Sequence, residues 1–412
     1  MRVKRLWAFY GKVYLCKSGI EFQIYKKNMI PRTASEKVKS LAQSFKAVAI
    51  IGARQSGKTT LARSCFPDKT YVSLENPDTR NFALEDPRNF LKKYQNGAIL
   101  DEVQRTPELL SYLQQILDES EEKGKFILTG SNNFLLQEKI TQSLAGRAAY
   151  IDLLPFSVSE IAAIPNALDD LNTVMFKGGF PPVQADGIAP NDWFGAYLRT
   201  YVERDVRQIK NVSNLLLFEK MLSLCAGRIG QLLNYANLAN EIGMDVKTIQ
   251  SWLGILQASY HVFLLPPYFQ NFNKRIVKTP KLYFYDTGMA CYLLQISSPE
   301  QLFQHPYRGA IFENFIVSEL LKNRFNQGKR SNLYFWRDST GNEMDVVIDE
   351  GVYLNPIEIK STATLTNVSF KNIQFWQNLT GRKASTLIYG GDDPQIRKNE
   401  VTVRSWREIS HL

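Results

Sequence analysis

The stretch "AVAIIGARQSGKTTLAR" (47–63) constrains the fold of this chain more than any other. Its apolar run, Ala47–Ile51, reads as a strand buried on both faces. Gly52 and Gly57 then bracket four residues, and Lys58, Thr59, Thr60 and a helical pattern come next. A strand, a glycine-bounded loop and a helix in that order make a cradle of backbone N–H groups at the positive end of a helix dipole. Such a cradle suits an anionic phosphate chain. Gly52, Gln55, Ser56, Gly57, Lys58, Thr59 and Thr60 are the candidate nucleotide-binding residues. Lys58 is expected to reach the β- and γ-phosphates of ATP, and Thr59 to ligate Mg2+.

A second apolar strand ends in acid. "GAILDEVQ" (97–104) places Asp101 where it can hold Mg2+, directly or through water, and Glu102 where it can orient or deprotonate an attacking water. "KFILTGSNN" (125–133) supplies another strand whose polar end faces the γ-phosphate, with Ser131 or Asn132 as its sensor. Apolar runs near 70–74, 98–101, 126–129 and 149–154 predict a parallel α/β sheet with crossover helices. Arg147, in "SLAGRAAYIDLLPFS", has two readings: a finger donated to a neighbour's γ-phosphate in a homo-oligomer, or a loop-bracing surface arginine.

At 412 residues the chain is too long for one ordinary core, so two or three domains are expected. Its 44% hydrophobic and 22% charged residues are those of a soluble globular protein. No apolar run reaches the roughly 18–20 residues of a membrane span. Four cysteines and three histidines lie scattered, which fits neither a disulfide framework nor a zinc site and points to a reducing, cytoplasmic setting. The net charge of +10 is poor evidence for nucleic acid, because residues 1–28 carry +6 of it. Those residues lack periodicity and precede Met29, where "MIPRTASEKVKSLAQSF" reads as an ordinary start; 1–28 are expected to be a poorly ordered or non-native extension.

"MFKGGFPPV" (175–183) is a Gly/Pro break, and "WFGAYLRTYVERDVRQI" (193–209) reads as a lid or linker helix with a solvated charged face. Further on, "YANLANEIG" ends at Gly243, a short turn leads to "VKTIQSWLGILQ", and two strand-like runs flank a basic turn with Lys274, Arg275 and Lys278. This is the pattern of a winged helix, with Lys247, Gln250 and the turn basics as candidate DNA contacts. Service as a lid or protein-contact module stays open beside that.

The C-terminal third gathers charge in elements that usually avoid it. Glu313 lies on the helix "YRGAIFENFIVSELLKNRF", Asp345 opens one strand of "GNEMDVVIDEGVYLNPIEIKS" (341–361), and Glu358 and Lys360 lie in the next. Two close carboxylates repel unless a divalent cation neutralises them. Glu313, Asp345 and Glu358 are thus candidate Mg2+ ligands, with Lys360 placed to position water or stabilise developing charge.

These residues resemble the PD-(D/E)xK nuclease core, and more narrowly archaeal-type Holliday-junction resolvases. From about Met29 onward the chain resembles a family of AAA-like P-loop ATPases with a nuclease-like C-terminal region, carried by "GARQSGKTTLA", "LDEVQ", "LTGSN", "LAGR", "GGFP", "YVERDV", "YFYDTGMA", "FENFIVSEL" and "EMDVVI…PIEIKS". Members usually have Pro where Ala53 stands and a larger apolar residue where Ser56 stands; neither touches a phosphate ligand. The resemblance implies a P-loop ATPase parallel sheet (29–160), lid and linker helices (161–212), a winged-helix domain (213–290) and a restriction-endonuclease-like α/β domain (291–412). It implies an ATP hydrolase with Mg2+-dependent cleavage of DNA, branched DNA included. The rival is an ATP-driven switch or defence and interaction ATPase with an inactive nuclease-like domain.

Overall fold

A computed structural model describes residues 29–131, 143–207, 212, 214–269, 277–397 and 400–411. The expectations for residues 1–28, Asn132, Lys274 and Arg275 lie outside those residues.

The first sheet has five parallel strands: β1 (Ala47–Gly52), β2 (Thr70–Ser73), β3 (Ala98–Asp101), β4 (Phe126–Ser131) and β5 (Ala148–Leu153). They lie in the order β2-β3-β4-β1-β5. The chain leaves β1 for the far edge at β2, returns through β3 and β4, and ends at β5 on β1's other side. The winding therefore reverses beside β1, and the carboxyl ends of the strands open a crevice there, which is where open α/β sheets bind ligands. Every residue of β1 is buried. Alternate residues feed two cores: Ala47 and Ala49 face Leu109, Leu113 and Leu117, while Val48 and Ile50 face Val38, Leu61 and Ala62.

The middle of the chain is helical and shares one hydrophobic core with the C-terminal region. The helix Pro190–Tyr201 buries Trp193, Phe194, Tyr197 and Tyr201, while the Arg199–Glu203 pair stays exposed, as its charge pattern predicts. Three helices then lead into an antiparallel pair: Leu215–Ala226, Tyr235–Ile242, Val246–Ala258, β6 (Val262–Leu265) and β7 (Lys281–Phe284). Asn234 caps the second helix by accepting Asn237 N–H at 3.0 Å, Gly243 ends it at φ 79°, and Asp245 caps the third by accepting Thr248 N–H at 3.0 Å. The described residues thus hold the helix–turn–helix and the strand pair that the winged-helix pattern predicts, and the turn between the strands lies mostly outside them.

The described residues on either side of the basic turn are bonded to a neighbouring strand. Tyr268 N–H donates to Phe335 O at 2.7 Å, Phe335 N–H to Pro266 O at 3.1 Å, and Val277 N–H to Arg337 O at 3.1 Å. Phe335 and Arg337 belong to β8, the edge of the second large sheet, so the described residues flanking the turn cover a strand edge that would otherwise be open. The expectation of a wing presented to DNA meets this at its described base, where Pro266, Tyr268 and Val277 bond to β8.

That second sheet holds β8 (Leu333–Arg337), β9 (Glu343–Asp349), β10 (Leu354–Lys360), β11 (Ser385–Tyr389), β12 (Gln395–Arg397) and β13 (Val401–Ser405), in the order β12-β13-β11-β10-β9-β8. One face packs on the long helix Arg308–Asn326 through Ile357, Ile359, Phe312 and Phe315; the other packs on the helix Lys371–Thr380 through Trp336 and Trp376. The domain boundaries placed at 160/161 and 290/291 fall inside the helices Val158–Ile161 and Thr287–Leu293. The second helix packs back on Leu171–Lys177 and Pro190–Tyr201, so tertiary contact ties that point of the chain to the helical middle region.

Candidate functional site

Gly52 leaves β1 at φ 152° so close to β5 that a Cβ would stand 2.1 Å from Leu153 O. Gln55 and Gly57 take positive φ, at 57° and 91°, which turns the backbone around a concavity, and Gly57 caps the helix Lys58–Cys65. Lys58 Nζ points back into the loop, donating to Ala53 O at 2.6 Å and Gly52 O at 3.2 Å. Burial lowers its pKa to about 8, against the pull of Glu102 and Asp101, which raise it. An ammonium so weakly hydrated and held only by carbonyls is poised to transfer to phosphate oxygens. Ser56 is fully buried with its backbone O held by Arg32, and Thr60 lines a cavity on the helix side of the loop.

Asp101 is the hub at the end of β3. Its Oδ1 accepts Thr59 Oγ1 at 2.9 Å and also Thr129 Oγ1, and its Oδ2 accepts Tyr71 OH at 2.7 Å. A hydroxyl beside a carboxylate is the hard-oxygen pair that Mg2+ takes alongside phosphate oxygens and waters, so these residues fit the expected ion. Glu102 adopts φ 61°, a left-handed conformation that is strained for a non-glycine residue and that marks functional turns. Gln104 Nε2 donates both to Glu102 Oε2 and to Ser131 Oγ, the latter at 2.7 Å. Ser131, the described member of the expected sensor pair, is thereby tied to Glu102.

Two cavities flank the loop. One of ≈ 510 Å³ lies on the helix side, lined by Ile30, Pro31, Arg32, Gly57, Thr60, Leu61, Phe156 and Pro181. One of ≈ 210 Å³ lies on the Glu102 side, lined also by Arg54, Gln55, Arg105 and Tyr197. The first is walled mainly by carbon and suits a base; the second is polar. Arg147 is in neither. It makes a bidentate pair with Asp118, one contact at 2.8 Å, and its backbone O meets Ala47 at the start of β1. That is the opposite end of the strand from the loop, about 17 Å away. Arg147 therefore braces the surface and does not reach its own chain's nucleotide.

The C-terminal candidates gather less tightly. Glu358 is fully buried; its Oε1 accepts Lys360 Nζ at 2.5 Å and Asn372 Nδ2 at 2.8 Å, while its Oε2 has no partner among the described residues. Asp345, on the neighbouring strand, is half-buried and accepts Ile359 N–H at 2.8 Å. Burial pushes both carboxyl pKa values up, and Glu358 and Glu313 push that of Asp345 further. Glu313 is otherwise engaged: its Oε1 accepts Tyr283 OH at 2.5 Å and Lys281 Nζ at 3.1 Å. Among the described residues no group of three or more His, Cys, Asp or Glu is placed to hold one metal ion. The expectation that Glu313, Asp345 and Glu358 converge on one ion is not met, because a buried lysine already neutralises Glu313. The Asp345/Glu358 pair, with its orphaned Oε2, keeps the chemistry of a cation site.

Residues 44–162 match the family model described as "AAA domain". With this loop geometry, that segment is an AAA-like P-loop ATPase core. Residues 168–300 and 308–409 match two models described as domains of unknown function, DUF8612 and DUF4143. Two curated relatives, the uncharacterised proteins Rv2008c of Mycobacterium tuberculosis and Mb2031c of Mycobacterium bovis, are each 29% identical over 341 residues, covering 81% of this chain and 74% of theirs. Among solved structures, the Walker-type ATPase paby2304 of Pyrococcus abyssi is 16% identical at a TM-score of 0.44, covering 63% of this chain and 94% of its own.

Around the ATPase core, four residues emerge that sequence reasoning missed. Arg32 donates to Glu160 Oε1 at 3.0 Å, Ser56 O at 2.6 Å and Leu154 O at 2.7 Å, clamping the phosphate loop to the end of β5. Asp286, inside "YFYDTGMA", accepts Gly179 N–H at 2.7 Å and Met289 N–H at 3.1 Å, fastening the Gly/Pro break. Lys281 and Glu319 are the others. All are charged residues in apolar surroundings, which is the one local signal that could have found them.

Proposed function

We propose that the protein couples ATP binding and hydrolysis at the Lys58/Asp101 site to cation-dependent cleavage of DNA by the Asp345/Glu358 pair. The observation carrying the second half is Glu358 Oε2, a fully buried carboxylate oxygen without a partner, beside a second carboxyl whose ionisation burial already disfavours. A buried orphan of this kind costs on the order of 1–3 kcal/mol, more for a charged group, unless a cation or a water meets it. Mg2+, when bound, supplies charge neutralisation for the phosphates at the first site and for the scissile phosphodiester at the second.

The chain's own residues do the rest. Lys58 exchanges two loop carbonyls for phosphate oxygens. Gln104 and the strained backbone hold Glu102 in one orientation toward the polar cavity, where it receives a proton from water. At the second site Asn372 fixes the Glu358 carboxylate, and the Lys360 ammonium, bound to it, faces the charge that develops on the phosphodiester. The test is purified protein with Mg2+ and linear and four-way-junction DNA. Asp345→Ala and Glu358→Ala should abolish cutting and leave ATP hydrolysis intact. A wild-type protein that cuts neither substrate removes the cleavage half.

A second reading rests on Lys281. With a protein ammonium seated against Glu313, the C-terminal domain works as a switch element, and ATP gates contact with DNA or a partner protein without cleavage. Gel shifts at graded salt separate these: DNA binding with a steep salt slope supports contact with phosphates, and no binding to any DNA favours a protein partner.

A further inference from the structure

Phosphoryl transfer needs a cation facing the γ-phosphoryl oxygens as charge spreads over them. Arg147 cannot serve its own nucleotide. We propose that Arg105 is that cation, supplied from the same chain, and that the ≈ 210 Å³ polar cavity is the γ-phosphoryl and water chamber of the ATPase site. This deepens the ATPase reading and rests on it.

Three observations carry it. First, Glu102 opens a 3-10 turn, Val103–Arg105, in which Arg105 N–H donates to Glu102 O at 2.9 Å. The turn follows β3 directly, so Glu102 and Arg105 leave the same strand end three residues apart. Second, both line the same cavity, with Arg54 and Gln55 of the phosphate loop forming the adjoining wall. The volume matches about seven water shares of ~30 Å³, room for a phosphoryl group and its attacking water. Third, the facing wall is rigid. Tyr201 OH and Ser259 Oγ lie 2.7 Å apart, and the Tyr201 ring lies 4.0 Å from His261, a buried imidazole. The helix Pro190–Tyr201 walls one side of the chamber through Tyr197, Thr200 and Tyr201, which shields a guanidinium there in part from solvent.

The step balances simply. The water oxygen bonds to the γ-phosphorus as the bond from phosphorus to the β–γ bridging oxygen breaks. The water proton passes to Glu102, and ADP leaves with the electron pair of the broken bond. Arg105 donates N–H bonds to the γ-oxygens throughout.

The test compares wild type, Arg105→Ala and Arg105→Lys by steady-state ATP hydrolysis, by binding of a fluorescent ATP analogue and by thermal unfolding. Arg105→Ala should lower kcat at least ~100-fold while nucleotide affinity stays within about threefold, and Arg105→Lys should recover part of the loss. Wild-type kcat should not depend on protein concentration. A mixture of Arg105→Ala with Lys58→Ala should stay inactive, since neither chain then holds a complete site. Arg105→Ala turning over within about threefold of wild type overturns the proposal, as does recovery of turnover in the mixture. If wild type hydrolyses ATP no faster than Lys58→Ala, the ATPase reading has failed and takes this one with it.

Discussion

Glu319 Oε2 accepts the backbone N–H of Val158 at 2.8 Å, joining the helix Arg308–Asn326 to the end of the ATPase sheet. Lys322 completes the joint, donating to Glu319 Oε1 at 2.7 Å and to Phe156 O at 3.0 Å. Phe156 also lines the larger cavity and lies under the Arg32 guanidinium, 4.9 Å from its ring centre. Glu313 sits six residues earlier on the same helix, about 9 Å along its axis. One helix thus touches the wall of the larger cavity at one point and the C-terminal carboxylates at another. Glu319→Ala leaves Lys322 buried without its counter-charge and should cost about 3–5 kcal/mol. Thermal unfolding reads the loss, and ATP affinity should fall with it. A melting temperature within about a degree of wild type would show that the joint contributes nothing to stability.

The phosphate loop should show its buried lysine in a pH profile. Without nucleotide, Lys58 has a pKa of about 8, because burial outweighs Glu102 and Asp101. Triphosphate oxygens favour the charged form, so bound Lys58 keeps its proton and binding above pH 8 takes one up. Affinity should therefore be flat below about pH 7 and fall as pH rises, about fivefold between pH 8 and 9 and approaching tenfold per unit beyond. A fluorescent ATP analogue titrated at several pH values measures it. Lys58→Arg, which stays protonated, should flatten the profile whatever its absolute affinity. An unchanged slope in that variant would assign the proton to another group.

Local pattern makes the phosphate loop, the five strands, the helix pair and the β9–β10 hairpin legible, since each depends on neighbours close in sequence. What escapes depends on distance along the chain. Arg32 meets Glu160 across 128 residues and Glu319 meets Val158 across 161, and neither motif has a period to betray it. Glu313, Asp345, Glu358 and Lys360 read as a set of charges from their pattern alone, but no local signal supplies the lysine from β7 that Glu313 takes as partner. Arg147 stays open between two readings for the opposite reason. Its glycine neighbour looks like a functional loop, while its true partner Asp118 lies 29 residues away.

The docked wing gives a slower observable. Across the seam with β8, Tyr268 N–H donates to Phe335 O at 2.7 Å and Phe335 N–H donates to Pro266 O at 3.1 Å. Their amides should resist hydrogen exchange by at least ~100-fold relative to an unstructured chain. Should the wing leave β8 to grip DNA, protection at both must drop together when DNA is added, with ATP or without. Protection unchanged by saturating DNA would confine any DNA contact to surfaces other than the wing edge.

Lys281 decides what the C-terminal cluster holds. It is almost fully buried, contacts Glu313 Oε1 at 3.1 Å and Glu343 Oε1 more closely, and Arg337 covers Glu343 Oε2 at 3.2 Å. Burial would lower its pKa, but Glu313, Glu343 and Asp345 together outweigh burial and hold it above the ordinary lysine value, so the ammonium is a fixed charge. Lys281→Met keeps the apolar stem and deletes that charge, leaving two carboxylates facing each other. The expected cost without metal is about 3–5 kcal/mol at neutral pH. Mg2+ or Mn2+ should then restore stability in Lys281→Met by more than it stabilises wild type, because a divalent cation can occupy what the ammonium vacated. The same rise in melting temperature in both proteins would mean that the ion binds only at Asp345 and Glu358, and that Lys281 holds the helix to β7 without guarding the cluster.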